Sequence, residues 1–109
     1  MGTQSIPAAE KSSLKEAVSY ASGSIVSKII MKGNAGNVTL FSFDKDQYLS
    51  EHTAPFDALV QSVEGKIRIT IEGNIHELSE GEIIIMPANK PHALYAVGPC
   101  KMLLTMLKG

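Results

Sequence analysis

The chain is a succession of short segments with β-strand patterning, and after residue 23 no helical pattern separates them. The cleanest of these segments is 66–72, in which every second residue is isoleucine and the residues between are polar. A period of two places alternate side chains on opposite faces, as in a strand with one buried face. Because parallel strands need long crossover connections that this chain lacks, the pattern predicts antiparallel sheets.

Eight or nine short strands follow from these patterns, with turn residues such as Gly33, Gly65 and Gly98 between them. Many short, evenly spaced strands favour a sandwich or barrel, because closing a sheet removes its unpaired edges. The length of 109 residues is that of one domain. The predicted fold class is therefore all-β, with strands at 24–32, 38–43, 57–64, 66–72, 74–78, 82–86, 92–97 and 101–107.

The N-terminal region, residues 1–23, is predicted to be an arm that carries one short amphipathic helix over about 8–20. Pro7 suits the first turn of such a helix, and Gly23 stands where a C-terminal cap is expected. The barrel is then expected to occupy 24–109. The apolar stripe that predicts the helix has the spacing i, i+3, i+4, i+7 and consists of Leu14, Ala17, Val18 and Ala21.

Composition excludes several classes of protein. Lys and Arg number 10 against 11 Asp and Glu, without the basic block that a nucleic-acid-binding protein uses to neutralise phosphates. No apolar run approaches the ~20 residues of a membrane-spanning helix. Cys100 is the single cysteine, which excludes an intrachain disulfide, and it is expected to be a small buried hydrophobe. A reducing compartment and no visible secretory signal predict a cytoplasmic protein.

Residues 81–92 form the most informative motif, in which a glycine turn is followed by an apolar β-branched run, a proline and His92. Residues 47–65 contain a second histidine, His52. Together these two segments resemble the two sequence motifs of the cupin family, and the likeness to small single-domain cupins extends over about 24–108. The resemblance implies a double-stranded β-helix, the jelly-roll barrel of that family.

The second motif is matched in register by Gly81, Pro87 and His92. Asn89 replaces a glycine of the motif, which asparagine is able to do because it tolerates the left-handed conformation. Ala96 replaces the asparagine that ends the motif.

In the first motif His52 matches the second of two histidines, Ser50 stands in the place of the first, and Ala58 occupies the glutamate position. Metal-binding cupins typically use three histidines and one glutamate, so the resemblance implies two remaining ligands, His52 and His92. Two imidazoles bind a divalent metal such as Fe, Mn, Ni or Zn weakly. A metal-free pair of hydrogen-bonded histidines in a pocket is the alternative.

Asp57 is the candidate for a third metal ligand. Strand alternation opposes this, because Asp57 points outward if Ala58 points inward. A β-bulge near residues 55–56 would reverse its direction.

Three functions are compatible with these observations. The first is binding of a small molecule in the barrel, the second is a metal-dependent enzyme of the dioxygenase or isomerase type, and the third is a non-catalytic dimeric module. A homodimer is implied by the resemblance and agrees with the apolar strands 24–32 and 101–107. The residues expected to line the pocket are Ser50, His52, Ala58, Val60, Met86, His92, Met102 and Leu104.

Overall fold

The computed structural model describes residues 3–4 and 6–108, which form two antiparallel sheets packed face to face. The predicted all-β, antiparallel architecture is confirmed. The strands are β1 (Thr3–Gln4), β2 (Ile25–Gly33), β3 (Gly36–Phe43), β4 (Tyr48–His52), β5 (Asp57–Glu64), β6 (Ile67–Ile71), β7 (Asn74–Leu78), β8 (Ile83–Met86), β9 (His92–Ala96) and β10 (Cys100–Leu107).

The connections alternate between the two sheets. The larger sheet has the order β1-β2-β3-β10-β5-β8, and the smaller has the order β4-β9-β6-β7. The chain therefore crosses from one sheet to the other at β4, returns at β5, and crosses again at β6, β8, β9 and β10. This is the connectivity of a jelly roll, in which two sheets enclose one core.

The core lies between the sheets and takes alternate residues from each strand. The three isoleucines of β6 face inward as predicted and belong to one buried cluster with residues of β5 and β10. The largest fully buried side chains in this cluster are Phe43, Val60, Ile67, Ile69 and Met102.

The prediction of a short N-terminal helix is wrong. Residues 6–22 contain turns and irregular structure only, and the described part of the chain contains no helix. Two turns are closed by hydrogen bonds in which Glu16 N donates to Ser13 O and Ala17 N donates to Leu14 O. No helix in residues 3–4 and 6–108 has the length and apolarity to cross a membrane.

Tertiary hydrogen bonds explain why the arm is not helical. Side chains of the larger sheet donate to backbone carbonyls of the arm. Lys101 Nζ donates to Lys15 O, and Lys28 Nζ donates to Ala17 O. The Ser42 hydroxyl donates to Ser19 O. A short isolated helix is marginal in water, so these tertiary contacts outweigh its local propensity.

The apolar stripe nevertheless marks the residues by which the arm packs. Val18 is buried, and Leu14 and Ala17 are packed against the same small cluster on the outer face of the larger sheet. The spacing thus predicts the buried positions of the arm correctly while giving the wrong secondary structure.

Candidate functional site

His52 and His92 lie opposite each other on the neighbouring antiparallel strands β4 and β9. Their ring centroids are 4.4 Å apart with an interplanar angle of 71°, and the two Nε2 atoms are separated by 3.2 Å. His92 is 4% exposed, whereas His52 is exposed at the open side of the pair. The pair therefore connects the barrel interior to the solvent.

A β-bulge in β4 is what turns His52 inward. Leu49 pairs with Leu94 and His52 pairs with His92, so three residues of β4 span the distance of two residues of β9. In a regular strand, side chains three positions apart lie on opposite faces, and His52 would point away from Leu49 and the core. The extra residue restores the inward direction.

Backbone carbonyls set the tautomer of both rings. His52 Nδ1 lies 2.8 Å from Ser50 O, and His92 Nδ1 lies 3.2 Å from Lys90 O. A carbonyl oxygen only accepts hydrogen bonds, so each Nδ1 must carry the proton that it donates. With both Nδ1 atoms protonated, the Nε2 atoms of the two neutral rings are acceptors, and their 3.2 Å separation is the length of an N–H···N hydrogen bond when one of them carries a proton.

Burial keeps His92 in this neutral form. Desolvation lowers the pKa of His92 below its ordinary value of 6.5, and the charge of a protonated His52 would lower it further. The hydrogen bond to Lys90 raises the pKa but comes last among the three causes. The pair is thus arranged to offer two nitrogen lone pairs to one electron-pair acceptor.

The loop before His92 is held by two hydrogen bonds from its backbone. Asn89 has a φ of 63°, the left-handed conformation that its place in the motif requires, and its N–H donates to Ala54 O at 2.7 Å. Ala88 N donates to Asp57 Oδ1 at 2.8 Å. These bonds fix the loop that presents Lys90 O to His92.

Asp57 therefore does not join the two histidines. It is exposed at the start of β5, and its carboxylate bonds the loop, in agreement with the outward direction given by strand alternation. Within residues 3–4 and 6–108, no group of three His, Cys, Asp or Glu side chains is placed to hold a metal ion.

A cavity of about 70 Å³ adjoins the histidine pair. Among the residues expected to line a pocket, Ser50 and Val60 are not in its wall: Ser50 is exposed and contributes only its carbonyl, and Val60 is fully buried in the core. The expected residues that do line it are His52, Ala58, Met86, His92, Met102 and Leu104. The other residues that line it are Leu49, Ala54, Leu94 and Met106.

The sequence predicts one of these four residues and not the others. Met106 shares the alternation of Met102 and Leu104 along β10, which predicts its inward direction, whereas Leu49, Ala54 and Leu94 were not predicted to line the cavity. Leu49 lies on β4, which has no regular apolar alternation and was not among the predicted strands. Its inward direction is set by pairing with Leu94.

The double-sheet jelly roll with a histidine pair at the mouth of its cavity defines a class of small β-barrel domains. The model of the Cupin domain family matches residues 39–106, which is more than half of the chain. The chain therefore belongs to the cupin family, as its two motifs indicate.

Solved structures agree with this assignment. A conserved protein of unknown function from Streptococcus pyogenes is 36% identical, with a TM-score of 0.90 and coverage of 95% of this chain and 91% of that chain. A Cupin 2 conserved barrel domain protein from Leptotrichia buccalis is 37% identical, with a TM-score of 0.83, 86% coverage of this chain and 46% of that chain.

A cupin superfamily protein from Desulfitobacterium hafniense has a TM-score of 0.89 and 95% coverage of both chains. Its 24% identity supports the fold alone. No protein of curated function matches the chain.

Proposed function

We propose that this protein binds a small ligand in the barrel cavity, at a weak divalent-metal site formed by His52 and His92. The observation that carries the proposal is the 3.2 Å separation of two Nε2 lone pairs whose Nδ1 atoms are both engaged. Two nitrogens bound to one tetrahedral zinc at about 2.0–2.1 Å lie roughly 3.3–3.4 Å apart. The observed separation is compatible with two ligands of one metal ion, and it is equally the length of an N–H···N hydrogen bond in the metal-free pair, so the experiment below decides between them.

The site is weak because the protein supplies only two donors. Stable protein sites for zinc use three or four protein ligands, and the described residues bring no further His, Cys, Asp or Glu to this pair. The carbonyls of Ser50 and Lys90 orient the imidazoles, as outer-shell partners of ligating histidines commonly do. A bound divalent metal would act as a Lewis acid toward an oxygen atom of the ligand.

The composition of the cavity wall favours binding over catalysis. Among the described residues that line the cavity, His52 and His92 are the only ionisable side chains, and the others are alanine, leucine and methionine. A wall of this kind supplies apolar contact area and orients a ligand through few polar groups. It provides no separate general acid, general base or nucleophile beside the histidines.

Thermal stability in the presence of nickel tests the proposal. Protein purified without added metal should gain melting temperature as Ni²⁺ is added, because binding to the folded state stabilises it by about 2.7 kcal/mol at 100 times Kd. His92→Ala and His52→Ala should abolish the gain. His52 is exposed, so its replacement tests the site with little disturbance of the core.

His76→Ala is the matched control, because His76 is the third histidine and is exposed on β7, across the smaller sheet from β4. This variant should keep the full nickel response. A wild-type protein that does not respond to Ni²⁺, or a response that survives in both His52→Ala and His92→Ala, would refute the metal site.

A further inference from the structure

The arm is attached to the barrel at a surface that is separate from the core. Among the described residues, the core cluster between the two sheets begins with Ile25 and takes no residue from the arm. The arm packs instead on the outer face of the larger sheet, where Val18 is buried with Leu40 and Val63. Because the core is assembled without the arm, detachment of the arm is a local opening that leaves the barrel folded.

A β-bulge in β5 places a pair of charges on the outer face beside the arm. Lys101 of β10 pairs with Glu64, and the residue after Lys101 pairs with Ser62, so Val63 is an extra residue of β5. In a regular strand Glu64 would lie on the same face as Ser62, toward the core. The bulge turns Glu64 outward, with 3.7 Å between its Oε2 atom and Lys101 Nζ.

The arm completes the surroundings of this charge pair. Lys101 Nζ donates to Lys15 O and lies 4.9 Å from the centre of the Tyr20 ring. The Tyr20 hydroxyl donates to Glu64 Oε2. Burial and the neighbouring carboxylate of Glu64 raise the pKa of Tyr20, so its hydroxyl stays protonated and is able to donate. With the arm in place Lys101 is only 8% exposed.

Both ends of the arm are anchored to the larger sheet. At its start, the two-residue strand β1 pairs with β2. At its end, Gly23 has a φ of 65°, and its N–H donates to Asp44 Oδ2 at 2.7 Å. Asp44 N donates in return to Ser24 O at 3.1 Å. The arm is therefore a loop between two fixed points, able to open and to close again on the same residues.

We propose that the arm, residues 6–22, is a strap that opens and closes over the outer face of the larger sheet, with Lys101, Glu64 and Tyr20 as its latch. Strand pairing keeps Lys101 beside Glu64 whether the arm is closed or open. In the open state water replaces Lys15 O and the Tyr20 ring, so no buried unpaired charge opposes opening. Opening exposes the apolar cluster beneath the arm, and closure withholds that surface from contact.

Trypsin cleavage after Lys15 measures the opening, because the protease must bind the carbonyl that Lys101 Nζ occupies in the closed state. Cleavage after Lys11, which is exposed on the same arm outside the latch, is the internal reference. Tyr20→Phe keeps the ring but loses the hydroxyl bond, and it should raise the rate of cleavage after Lys15 about three- to tenfold. Lys101→Met also removes the cation and should raise that rate about tenfold or more.

A second measurement separates opening of the arm from unfolding of the barrel. In the wild type, the opening constant is the rate of cleavage after Lys15 relative to that in a free peptide of residues 8–22. It should exceed the unfolding constant from amide exchange of the core strand β6 by about a hundredfold or more. Lys66→Met is the matched control, because Lys66 is exposed next to β6 in the smaller sheet, and its cleavage after Lys15 should keep the wild-type rate.

Equal constants for the arm and for β6 would show that the two open together, and they would overturn the strap. A wild-type rate of cleavage after Lys15 in Tyr20→Phe and in folded Lys101→Met would overturn the latch. If Lys101→Met does not fold, Tyr20→Phe decides alone. None of these measurements involves a metal ion, so their result is independent of the proposed function.

Discussion

Asp57 stabilises the loop before His92 but does not line the cavity. Its Oδ1 accepts a hydrogen bond from Ala88 N, in the loop whose Lys90 carbonyl orients the ring of His92. The acidic residue next to the cupin glutamate position is thus a positioning residue that acts through the backbone. Its contribution is to stability and to the orientation of His92.

Replacement of Asp57 separates these roles. Asp57→Ala should lower the free energy of unfolding by about 1 kcal/mol, because an exposed hydrogen bond to a charged acceptor is lost. It should also weaken nickel binding several-fold as the loop loosens. Asp57→Asn keeps an oxygen acceptor for Ala88 N and should retain most of both properties. Urea denaturation and nickel titration measure them, and an alanine variant equal to wild type in both would contradict the positioning role.

Burial of His92 also makes the free protein sensitive to acid. Its pKa is lowered in the folded state, so at acidic pH the unfolded chain binds more protons than the folded one. The associated stability is present above the unfolded value, about 6.5, and is lost as pH falls toward the lower folded value. Urea denaturation between about pH 5 and 8 should show this loss in wild type and a flatter profile in His92→Asn. Parallel profiles would exclude His92 as the cause.

At the scale of elements, the hairpin of β2 and β3 meets β10 at very close range where β3 begins. Gly36 begins β3 opposite Leu107 with a φ of 151°. A Cβ at this position would lie 1.9 Å from the backbone oxygen of Met106, a residue that also lines the cavity. Only glycine allows the backbones to approach so closely.

Gly36→Ala should therefore lower the free energy of unfolding by about 2–4 kcal/mol, from backbone strain and overpacking. Gly98→Ala is the control, since a Cβ there meets no described atom within 4 Å and the glycine has no positive φ. Chemical denaturation of both variants measures the difference. An equal free energy of unfolding for the two variants would show that β3 and β10 accommodate the added methyl group without loss of stability.

The elements also show what a sequence of this kind predicts and where it fails. Strands β6 and β10 are predictable because their inward residues alternate with others along a regular strand. The short edge strand β4 is not, since most of its residues are exposed and its bulge depends on the partner β9. The bulge in β4 turns His52 inward. The sequence motifs therefore identify His52 and His92, but they do not predict that the two rings are in contact.

At the scale of the whole molecule, the described residues of the arm cover only part of the outer face of the larger sheet. The arm covers one part of the outer face of the larger sheet, where Val18 packs on Leu40 and Val63. Beyond the arm, outward residues of five strands form one uncharged row across the same face, apolar except for one threonine. In strand order from β8 to β2 the row is Ile85, Leu59, Thr105, Val38 and Met31.

Several side chains on this part of the face are strongly exposed. Ile85 is 60% exposed, Met31 is 54% exposed and the neighbouring Leu107 is 67% exposed. A contiguous apolar surface of this kind is typical of a protein–protein interface. We propose that a second copy of the chain covers it in a symmetric dimer, because the row spans the sheet and contains no charged residue.

Light scattering coupled to size-exclusion chromatography tests the dimer. Wild-type protein at micromolar concentration should have twice the chain mass of 11.7 kDa. Ile85→Glu places a charge in the apolar row and should give the monomer mass, since an unpaired charge in the contact opposes association. Ile75→Glu is the matched control, because Ile75 is 66% exposed on the other sheet, and this variant should remain dimeric. A monomeric wild type would exclude the dimer. Dissociation only in Ile75→Glu would place the contact on the smaller sheet instead.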